Sequence, residues 1–311
     1  MGDNGTVWLP EGASTVAGEV DALFYFIYWV SVILFIGVIG TMAYFAYKYR
    51  RRSEADRPMP IKENKLVEAS WIVVPTILVM IVFTWGFQGF IKLGVVPPNA
   101  YQITVRAQKW NWLFEYPNGA RSNELHVPVG RPVKLRMSSA DVIHSFYVPQ
   151  FRVKQDVLPN RYSTVWFEAT KQDTFQVFCT EYCGTQHSVM LAPVIVQSQD
   201  VFNAWLAEAV VGADAPPAER GRLLYQQLGC QGCHSLDGTA AIAPTFQGLA
   251  ATPRQFADGT TAVADENYLR ESIVEPAAKV VQGYQPIMPA QYGSQLSTEE
   301  LDALIAFIQE Q

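Results

Sequence analysis

The stretch C-T-E-Y-C-G-T-Q-H-S-V-M, from Cys179 to Met190, decides how the middle of this 311-residue chain should fold and what it should bind. It supplies two thiols, an imidazole and a thioether within twelve residues, a soft ligand set that suits copper. A mononuclear blue-copper site needs one cysteine with two histidines and an axial ligand. The second cysteine can bridge a second ion, so the stretch predicts a dinuclear copper site.

Short alternating segments surround this stretch between residues 98 and 206. Y-Q-I-T-V-R-A, P-V-K-L-R-M and Y-S-T-V-W-F-E are typical of strands, and Pro117-Asn118-Gly119 marks a turn. About 100 residues of such short strands predict a β-sandwich or a Greek-key barrel. Copper sites in these folds take one ligand from an early strand end, here the histidine of D-V-I-H-S-F, and the others from a late loop.

In the predicted copper site the two cysteines bridge the ions and each histidine binds one of them. A methionine adds a weak thioether, and a main-chain carbonyl is its counterpart on the other ion. The predicted ligands are His144, Cys179, Glu181 (through its carbonyl), Cys183, His187 and Met190. A zinc site and a disulfide remain alternatives for the cysteine pair. His126 is predicted to be structural.

A second motif, C-Q-G-C-H, follows from Cys230 to His234 and is the attachment signature of c-type haem. Cys230 and Cys233 would form thioether bonds to the haem, and His234 would bind the iron. The second axial ligand is predicted to be Met288, in Y-Q-P-I-M-P, with Lys279 as the weaker candidate. Methionine and histidine together raise the reduction potential and leave no open position, as electron transfer requires. A zinc knuckle or a redox dithiol is the alternative for this motif.

The segment around this motif is predicted to be a separate helical domain, residues 219–311. An Ala/Gly/Pro-rich linker, 207–218, precedes it. Helices are expected before the motif, from Glu266 to about Val280, and from Ser297, where S-T-E-E forms a capping box.

Two uncharged runs occupy the first third of the chain: Leu23–Tyr47, with 25 residues, and Trp71–Ile91, with 21. Each is long enough to span a hydrocarbon core of roughly 30 Å as a helix. They predict a transmembrane hairpin over 23–97, with helices at about 23–47 and 71–91; a buried hairpin of a soluble protein is the alternative.

Basic residues are concentrated in the connection 48–70, which begins K-Y-R-R-R, whereas residues 1–22 contain no Lys or Arg. Because basic loops stay on the cytoplasmic side, 1–22 and everything after the second helix should be extracytoplasmic. The formal net charge of −6 gives no reason to expect nucleic acid as a partner. All four cysteines lie in the two cofactor motifs, so no disulfide framework is expected.

Residues 20 to 200 resemble subunit II of the haem-copper cytochrome c oxidases. The resemblance rests on the copper stretch and on Q-K-W-N-W, E-L-H-V-P-V-G, D-V-I-H-S-F-Y-V-P and V-L-P-N-R. The C-terminal segment resembles class I cytochrome c in its length, motif position and M-P loop. Together they imply a multidomain membrane protein: a two-helix transmembrane hairpin, an all-β cupredoxin barrel (98–206) with a dinuclear copper A centre, and an all-α cytochrome c domain.

The resemblance implies roles for three further groups. Trp110, in W-N-W, matches the exposed aromatic through which electrons reach copper, although it could simply pack at the rim of the β domain. The side chain of Glu181 matches one that binds magnesium at the boundary with subunit I. Glu68, just before the second helix, matches an acid at the mouth of a proton channel; its alternative is an ordinary acid at a helix N-terminus.

The implied function is electron transfer from an external donor through haem c to copper A and on to subunit I, where oxygen is reduced to water with proton pumping. Expected partners are subunit I, subunit III, membrane lipid, and a donor that could be a cytochrome c, an iron–sulfur protein or a quinol-oxidising complex. The expected location is a bacterial inner membrane. A copper A nitric oxide reductase subunit is the alternative; a copper-storage or sensor protein is disfavoured by the haem motif, and nitrous oxide reductase by the anchor.

Overall fold

The computed structural model describes residues 5–57, 60, 62–209, 215–239, 241–290 and 292–311. They divide into two compact units. The first holds the described residues up to Gly12 together with Val16–Val95, and the second holds Ala13–Thr15 together with Val96–Gln311. Residues 1–4, at the start of the predicted N-terminal segment, and 210–214, in the predicted linker, lie outside the described residues.

The first unit is built on two long helices, α1 (Ala17–Lys48) and α2 (Lys65–Gly94). Both helices are long and apolar enough to cross a membrane. In each helix, the most apolar stretch of 18 residues has no buried residue. The structure therefore does not show the buried hairpin of a soluble protein, because those side chains lack a protein core to pack against.

Both helices begin before the uncharged runs predicted from the sequence. α1 starts at Ala17, because Glu19 and Asp21 lie in its first turns, where the helix dipole favours acids. α2 starts at Lys65, because the Asn64 side chain accepts hydrogen bonds from the amides of Leu66 and Val67.

The β domain of the second unit consists of two five-stranded sheets, each with one parallel pair of strands. The first has the order β3-β2-β1-β5-β8 and the second β4-β10-β9-β6-β7. The strands are β1 (Tyr101–Gln108), β2 (Asn111–Glu115), β3 (Arg121–Ser122), β4 (Leu125–Pro128), β5 (Pro132–Ser139), β6 (His144–Val148), β7 (Val153–Val157), β8 (Ser163–Glu168), β9 (Thr174–Cys179) and β10 (Leu191–Gln197).

One apolar core joins the two sheets, and its largest fully buried side chains include Trp112, Phe114, Phe146, Phe151 and Phe167. Alternate residues of β1 and β5 point into this core, as expected for strands with one covered face. The arrangement confirms the all-β cupredoxin prediction and places the β9–β10 connection at one end of the sandwich.

Residues 13–15 pair with this β domain although they precede α1 in the chain. The Ala13 amide donates to the Gln150 carbonyl at 2.8 Å, the Thr15 amide donates to the Glu168 carbonyl at 3.0 Å, and Ser14 forms a bridge with Ala169. The segment therefore covers the end of β8, an edge strand of its sheet.

The C-terminal domain is helical around its own apolar core. Helix α3 (Gln199–Glu208) leads out of the β domain. The helical domain contains α4 (Pro217–Gln227), a hairpin of β11 (Pro253–Gln255) and β12 (Thr261–Val263), α5 (Glu266–Val274), α6 (Tyr292–Gln295) and α7 (Thr298–Gln309).

Two details of this domain test the predicted helices. The capping box at Ser297 is present with both of its hydrogen bonds to Glu300. The helix from Glu266 ends at Val274 and not near Val280, since Pro276 cannot continue it. The hairpin β11–β12 was not predicted, because its strands have only three residues each and pair only with one another.

Candidate copper and haem sites

The predicted copper loop connects the ends of two paired strands. Cys179 is the last residue of β9 and Leu191 the first of β10, so the sheet fixes both ends of the loop. His144 begins β6, which pairs with β9 so that Phe146 lies opposite Cys179. Strand pairing thus brings a histidine from 35 residues earlier in the chain to the loop.

The soft donor atoms of the loop converge in the structure. Cys179 Sγ and Cys183 Sγ are 3.8 Å apart and are not bonded to each other. His144 Nδ1 lies 3.9 Å from Cys179 Sγ, and His187 Nδ1 lies 3.6 Å from Cys183 Sγ. Ligand atoms of His144, Cys179 and Cys183 all lie within 4.8 Å of one another and are buried.

The two remaining predicted ligands lie at the same place. Met190 Sδ is 3.7 Å from Cys183 Sγ and is fully buried, and the Glu181 carbonyl oxygen is 3.3 Å from Cys179 Sγ. Two thiols flanked by two imidazoles, a thioether and a carbonyl suit copper better than zinc, which favours thiolates and imidazoles alone. The residues present therefore fit a copper site.

The two thiols differ in their electrostatics. Burial raises the pKa of Cys179, but hydrogen bonds with His144 and with the Ser145 and Glu181 main chain outweigh it and lower the pKa to about 6. Burial and the neighbouring Cys179 charge raise the pKa of Cys183 to about 12. Without a cation, Cys179 loses its proton readily, whereas Cys183 keeps its proton. This difference is expected at a site where a shared metal ion supplies the positive charge that stabilises the second thiolate.

Asp141 has a structural role that the sequence analysis missed, although it stands in D-V-I-H-S-F. Its Oδ1 lies 2.8 Å from His144 Nε2, and its Oδ2 accepts a 2.7 Å hydrogen bond from the Lys109 amide. Burial lowers the pKa of His144, but the hydrogen bond to Asp141 outweighs it and raises that pKa. With Nε2 held by the carboxylate, Nδ1 is the nitrogen that faces Cys179. The spacing D-x2-H is the signal that could have identified it.

The haem motif lines a large cavity in the helical domain. The cavity, including its mouth, has a volume of about 1430 Å³, and Cys230, Cys233, His234 and Met288 all line it. His234 and Met288 are 54 positions apart in the chain but border the same space. The cavity thus brings together the two predicted axial ligands and both thioether cysteines.

The surroundings of His234 orient its ring. Its Nδ1 lies 2.7 Å from the Pro244 carbonyl, and the ring stacks on Phe246 at 4.5 Å. Burial lowers the pKa of His234, so the ring is neutral at physiological pH. Since Nδ1 carries the proton given to Pro244, Nε2 is the nitrogen available to a metal.

The structure favours Met288 over Lys279 as the second ligand. The Lys279 ammonium lies 2.5 Å from Glu271, and this hydrogen bond raises the pKa of Lys279. A protonated amine has no lone pair to give to iron. Burial raises the pKa of Cys230 to about 12 and raises that of Cys233, which disfavours a thiolate zinc knuckle.

The lining of the haem cavity mixes apolar and polar side chains. Phe246, Leu249 and Ile273 are apolar, whereas Arg254 and Ser272 are polar. A cavity of this size, bordered by both motif cysteines and by the two candidate iron ligands, fits a large, partly polar cofactor such as haem.

Trp110 lies between the two sites. It lines the haem cavity together with Lys109 and Asn111. On the copper side, a Cβ on Gly184 would lie 3.2 Å from the Trp110 ring, so the ring packs directly against the copper loop. Trp110 is half-buried and also packs against the apolar core of the β domain, whereas the aromatic that the family resemblance implies is exposed.

The remaining predicted site residues lie apart from these clusters. Glu68 is in the first turn of α2, so its predicted position just before the second helix is wrong by a few residues. The Glu181 side chain is exposed, and so is open to a second protein. His126 is buried, stacks on Trp205 at 3.9 Å and lies 3.4 Å from Glu124, which agrees with packing in the β domain.

Family models match three parts of the chain. Residues 2–88 match the transmembrane domain of cytochrome c oxidase subunit II, residues 119–199 match its periplasmic domain, and residues 218–311 match cytochrome c. Two helices, a copper-type β domain and a cytochrome domain define a membrane-anchored electron-transfer protein.

Curated relatives carry the same description. Cytochrome c oxidase subunit 2 of Thermostichus vulcanus is 30% identical, covering 70% of this chain and 84% of the relative. Cytochrome c oxidase subunit 2 of Alkalihalophilus pseudofirmus is also 30% identical, and the match covers 84% of this chain and 78% of that relative. The solved periplasmic domain of subunit II of cytochrome oxidase from Bradyrhizobium japonicum is 30% identical over 37% of this chain and 96% of that one, with a TM-score of 0.36.

The chain belongs to the cytochrome c oxidase subunit II family, and it carries a cytochrome c domain at its C-terminus. It is an electron-transfer subunit of a haem-copper oxidase, anchored in a membrane, and its family implies subunit I as a partner. The two domains imply copper and haem as cofactors.

Proposed function

We propose that this chain passes electrons from an external donor, through haem c, to a dinuclear copper A centre and on to subunit I, where oxygen is reduced to water with proton pumping. The observation that carries the proposal is Trp110, which lines the cavity holding His234 and Met288 and packs against the copper loop. The chain itself would hold no oxygen-reducing site.

In the copper site the protein's task is to hold donor atoms in place. Two copper ions would be held by Cys179 and Cys183 together with His144, His187, Met190 and the Glu181 carbonyl. Bound copper would supply a one-electron carrier. Burial of the donors and the hydrogen bond from His144 to Asp141 limit rearrangement on electron transfer, which keeps the reaction fast.

In the haem site the protein would attach, ligate and orient the cofactor. Cys230 and Cys233 would form the thioether bonds, and His234 Nε2 and Met288 Sδ would ligate the iron. Bound haem would supply the second one-electron carrier. With both residues as ligands, the protein would keep water and oxygen from the iron, which suits electron transfer rather than oxygen chemistry.

The proposed orientation across the membrane is supported by the distribution of basic residues and by residues 13–15. These residues hydrogen-bond to the β domain, so the N-terminal segment would share the side of the membrane that holds this domain. The basic connection 48–70 would lie on the other side, and its Lys and Arg residues favour the cytoplasm. The N-terminus and both cofactor domains would then be outside a bacterial inner membrane.

Two acids are proposed to serve the partner subunit. Glu68, in the first turn of α2 at the cytoplasmic end, would lie at the mouth of a proton channel of subunit I. The exposed Glu181 carboxylate would bind magnesium at the boundary with that subunit, while its carbonyl faces copper. Subunit III, and a donor such as a cytochrome c, an iron–sulfur protein or a quinol-oxidising complex, complete the proposed set of partners.

The test is electron paramagnetic resonance, combined with copper and haem analysis, on the full chain purified in its complex. We expect hyperfine splitting shared by two equivalent copper nuclei and two coppers in this chain per haem c. A single copper, or zinc in its place, would contradict the proposal. Consumption of oxygen by the same complex, measured against nitric oxide reduction, separates an oxidase from a copper A nitric oxide reductase.

A further inference from the structure

The helical domain contacts the β domain at the turn between β1 and β2, next to the haem cavity. Gln108 ends β1 and Asn111 begins β2, so residues 108–111 form this turn. Lys109, Trp110 and Asn111 line the haem cavity. The same turn contacts the copper site, because the Lys109 amide donates to Asp141, the partner of His144.

A buried chain of hydrogen bonds joins this turn to the haem motif. Gln108 Nε2 donates to Tyr292 Oη at 3.0 Å, and Tyr292 Oη donates to the Leu228 carbonyl at 3.2 Å. Leu228 stands two residues before Cys230. Gln108 is 5% exposed and Tyr292 6%, so water does not compete for either bond.

A steric contact lies beside this chain. Gly229, between Leu228 and Cys230, adopts φ +74°, and a Cβ there would lie 2.5 Å from Asn111 Cγ. A side chain on residue 229 would clash with the Asn111 side chain unless Asn111 moved. The helical domain therefore approaches the turn by its main chain, directly beside the first haem cysteine.

An ion pair adds a second point of contact. Arg121 of β3 donates to Glu300 at 3.0 Å, and the same carboxylate of Glu300 accepts the Ser297 amide in the capping box of α7. Both side chains are only partly exposed, so solvent screens the pair incompletely. Two separated contacts fix both the position and the rotation of one domain on the other.

We infer that Tyr292 is a positioning residue that locks the haem domain on the 108–111 turn, so that electrons cross from one docked arrangement and not from a tethered domain that searches for its partner. This inference rests on the proposed function and deepens it. Domains joined by a linker usually move relative to one another unless their interface is well packed. The chain Gln108–Tyr292–Leu228 supplies that packing at the cofactor edge.

The test uses the purified oxidase complex and the variant Tyr292→Phe, which keeps the ring and removes the hydroxyl. Haem c is reduced by a light pulse, and oxidation of haem and reduction of copper are followed optically at several glycerol concentrations. In the unaltered protein we expect one kinetic phase whose rate is independent of viscosity. In Tyr292→Phe we expect a rate about fivefold lower, matching the loss of one buried hydrogen bond, and a dependence on viscosity.

A matched control is Tyr116→Phe. Tyr116 is also buried, and its hydroxyl bridges the main-chain carbonyl and amide of His126 within the β domain. We expect this variant to keep the unaltered rate and its independence of viscosity. Gln108→Met should act like Tyr292→Phe, because it removes the other member of the same bond. Unchanged, viscosity-independent rates in both Tyr292→Phe and Gln108→Met would overturn the inference.

Hydrogen exchange on the same proteins separates this inference from the proposed function. We expect Tyr292→Phe to speed exchange at the Lys109 amide and at the Gly229 and Cys233 amides together, whereas Tyr116→Phe affects only the β domain. This measurement needs neither donor nor electron transfer. If the unaltered protein transferred no electrons from haem to copper, the proposed function would fail while the exchange result still decided the docking. Unchanged exchange in Tyr292→Phe would count against a lock.

Discussion

The copper loop and the haem cavity reach their ligand sets in opposite ways. Five of the six predicted copper ligands lie between Cys179 and Met190, and strand pairing adds the sixth, His144. Their donor atoms lie within hydrogen-bonding distances of one another in the protein alone. The haem ligands His234 and Met288 come from distant parts of the chain and border an open space.

This difference teaches what each cofactor contributes to its site. The sheet holds both ends of the copper loop, so the loop should change its conformation little when copper binds. The haem cavity is large and is bordered by side chains from distant parts of the helical domain, so close packing of that domain depends on a group that fills the cavity. We therefore expect removal of copper to leave the β domain folded and failure to attach haem to destabilise the helical domain.

The largest expected effect is on the copper loop, in Cys183→Ser. A serine hydroxyl cannot bridge two copper ions, so we expect the copper content to fall from about two per haem to one or none. Metal analysis and the paramagnetic spectrum of the full complex would measure this. Haem content should stay unchanged, since the helical domain folds around its own core. Retention of two coppers would show that Cys183 is not a bridge.

The corresponding change in the haem cavity is Met288→Leu. Loss of the thioether leaves the iron with one axial ligand, so we expect a high-spin component in the optical spectrum and a potential lower by on the order of 100 mV. Redox titration with optical detection measures both. Lys279→Ala is the control and should change neither. If Lys279→Ala gave the larger change, the lysine and not Met288 would be the ligand.

A smaller effect is expected for Asp141→Asn, which keeps the shape of the side chain beside His144. The amide holds the imidazole less firmly than the carboxylate does, so copper affinity should fall by about 10- to 100-fold. Competition with a copper chelator measures the affinity. Asp173→Asn is a suitable control, because among the contacts described the Asp173 side chain accepts a hydrogen bond only from the Thr174 amide. Equal copper affinities in the two variants would show that Asp141 does not support copper binding.

The smallest effect concerns His126, whose pKa is lowered chiefly by burial. The folded β domain favours the neutral His126 ring. As the pH falls below about 6.5, this histidine therefore binds a proton more readily in the unfolded chain than in the folded one. The free energy of unfolding should therefore decrease between pH 7.5 and 5.5, with a small contribution from this one residue. Denaturant unfolding at both pH values measures it. In His126→Phe that part of the decrease should disappear; an identical decrease would assign it to other groups.

The features that could be predicted from the sequence are those that short motifs determine. The transmembrane runs, the strands β1 and β5, the capping box of α7 and the clustering of Cys179, Cys183 and His187 all follow from residues close together in the chain. Strands β2, β3, β6, β7 and β10 were not predicted, because several are short or follow directly on the copper loop, where no alternation is visible.

What the sequence could not predict depends on contacts between distant segments. Nothing near Asp141 shows that it accepts the Lys109 amide, and nothing near Tyr292 shows that its hydroxyl meets Gln108, 184 residues away. The contact of the Trp110 ring with Gly184, 74 positions later in the chain, is of the same kind. Composition predicts the linker but not where the linked domain lies.

The pairing of residues 13–15 with the end of β8 has a consequence for expressing the β domain alone. A fragment cut just before β1 would lose this segment, and the amide of Thr170 would lose the Ala13 carbonyl that accepts its hydrogen bond. An uncovered strand edge is a template for pairing with a second molecule. A soluble version should therefore carry the segment 11–16 joined by a designed connection to residue 97, so that each molecule closes its own edge.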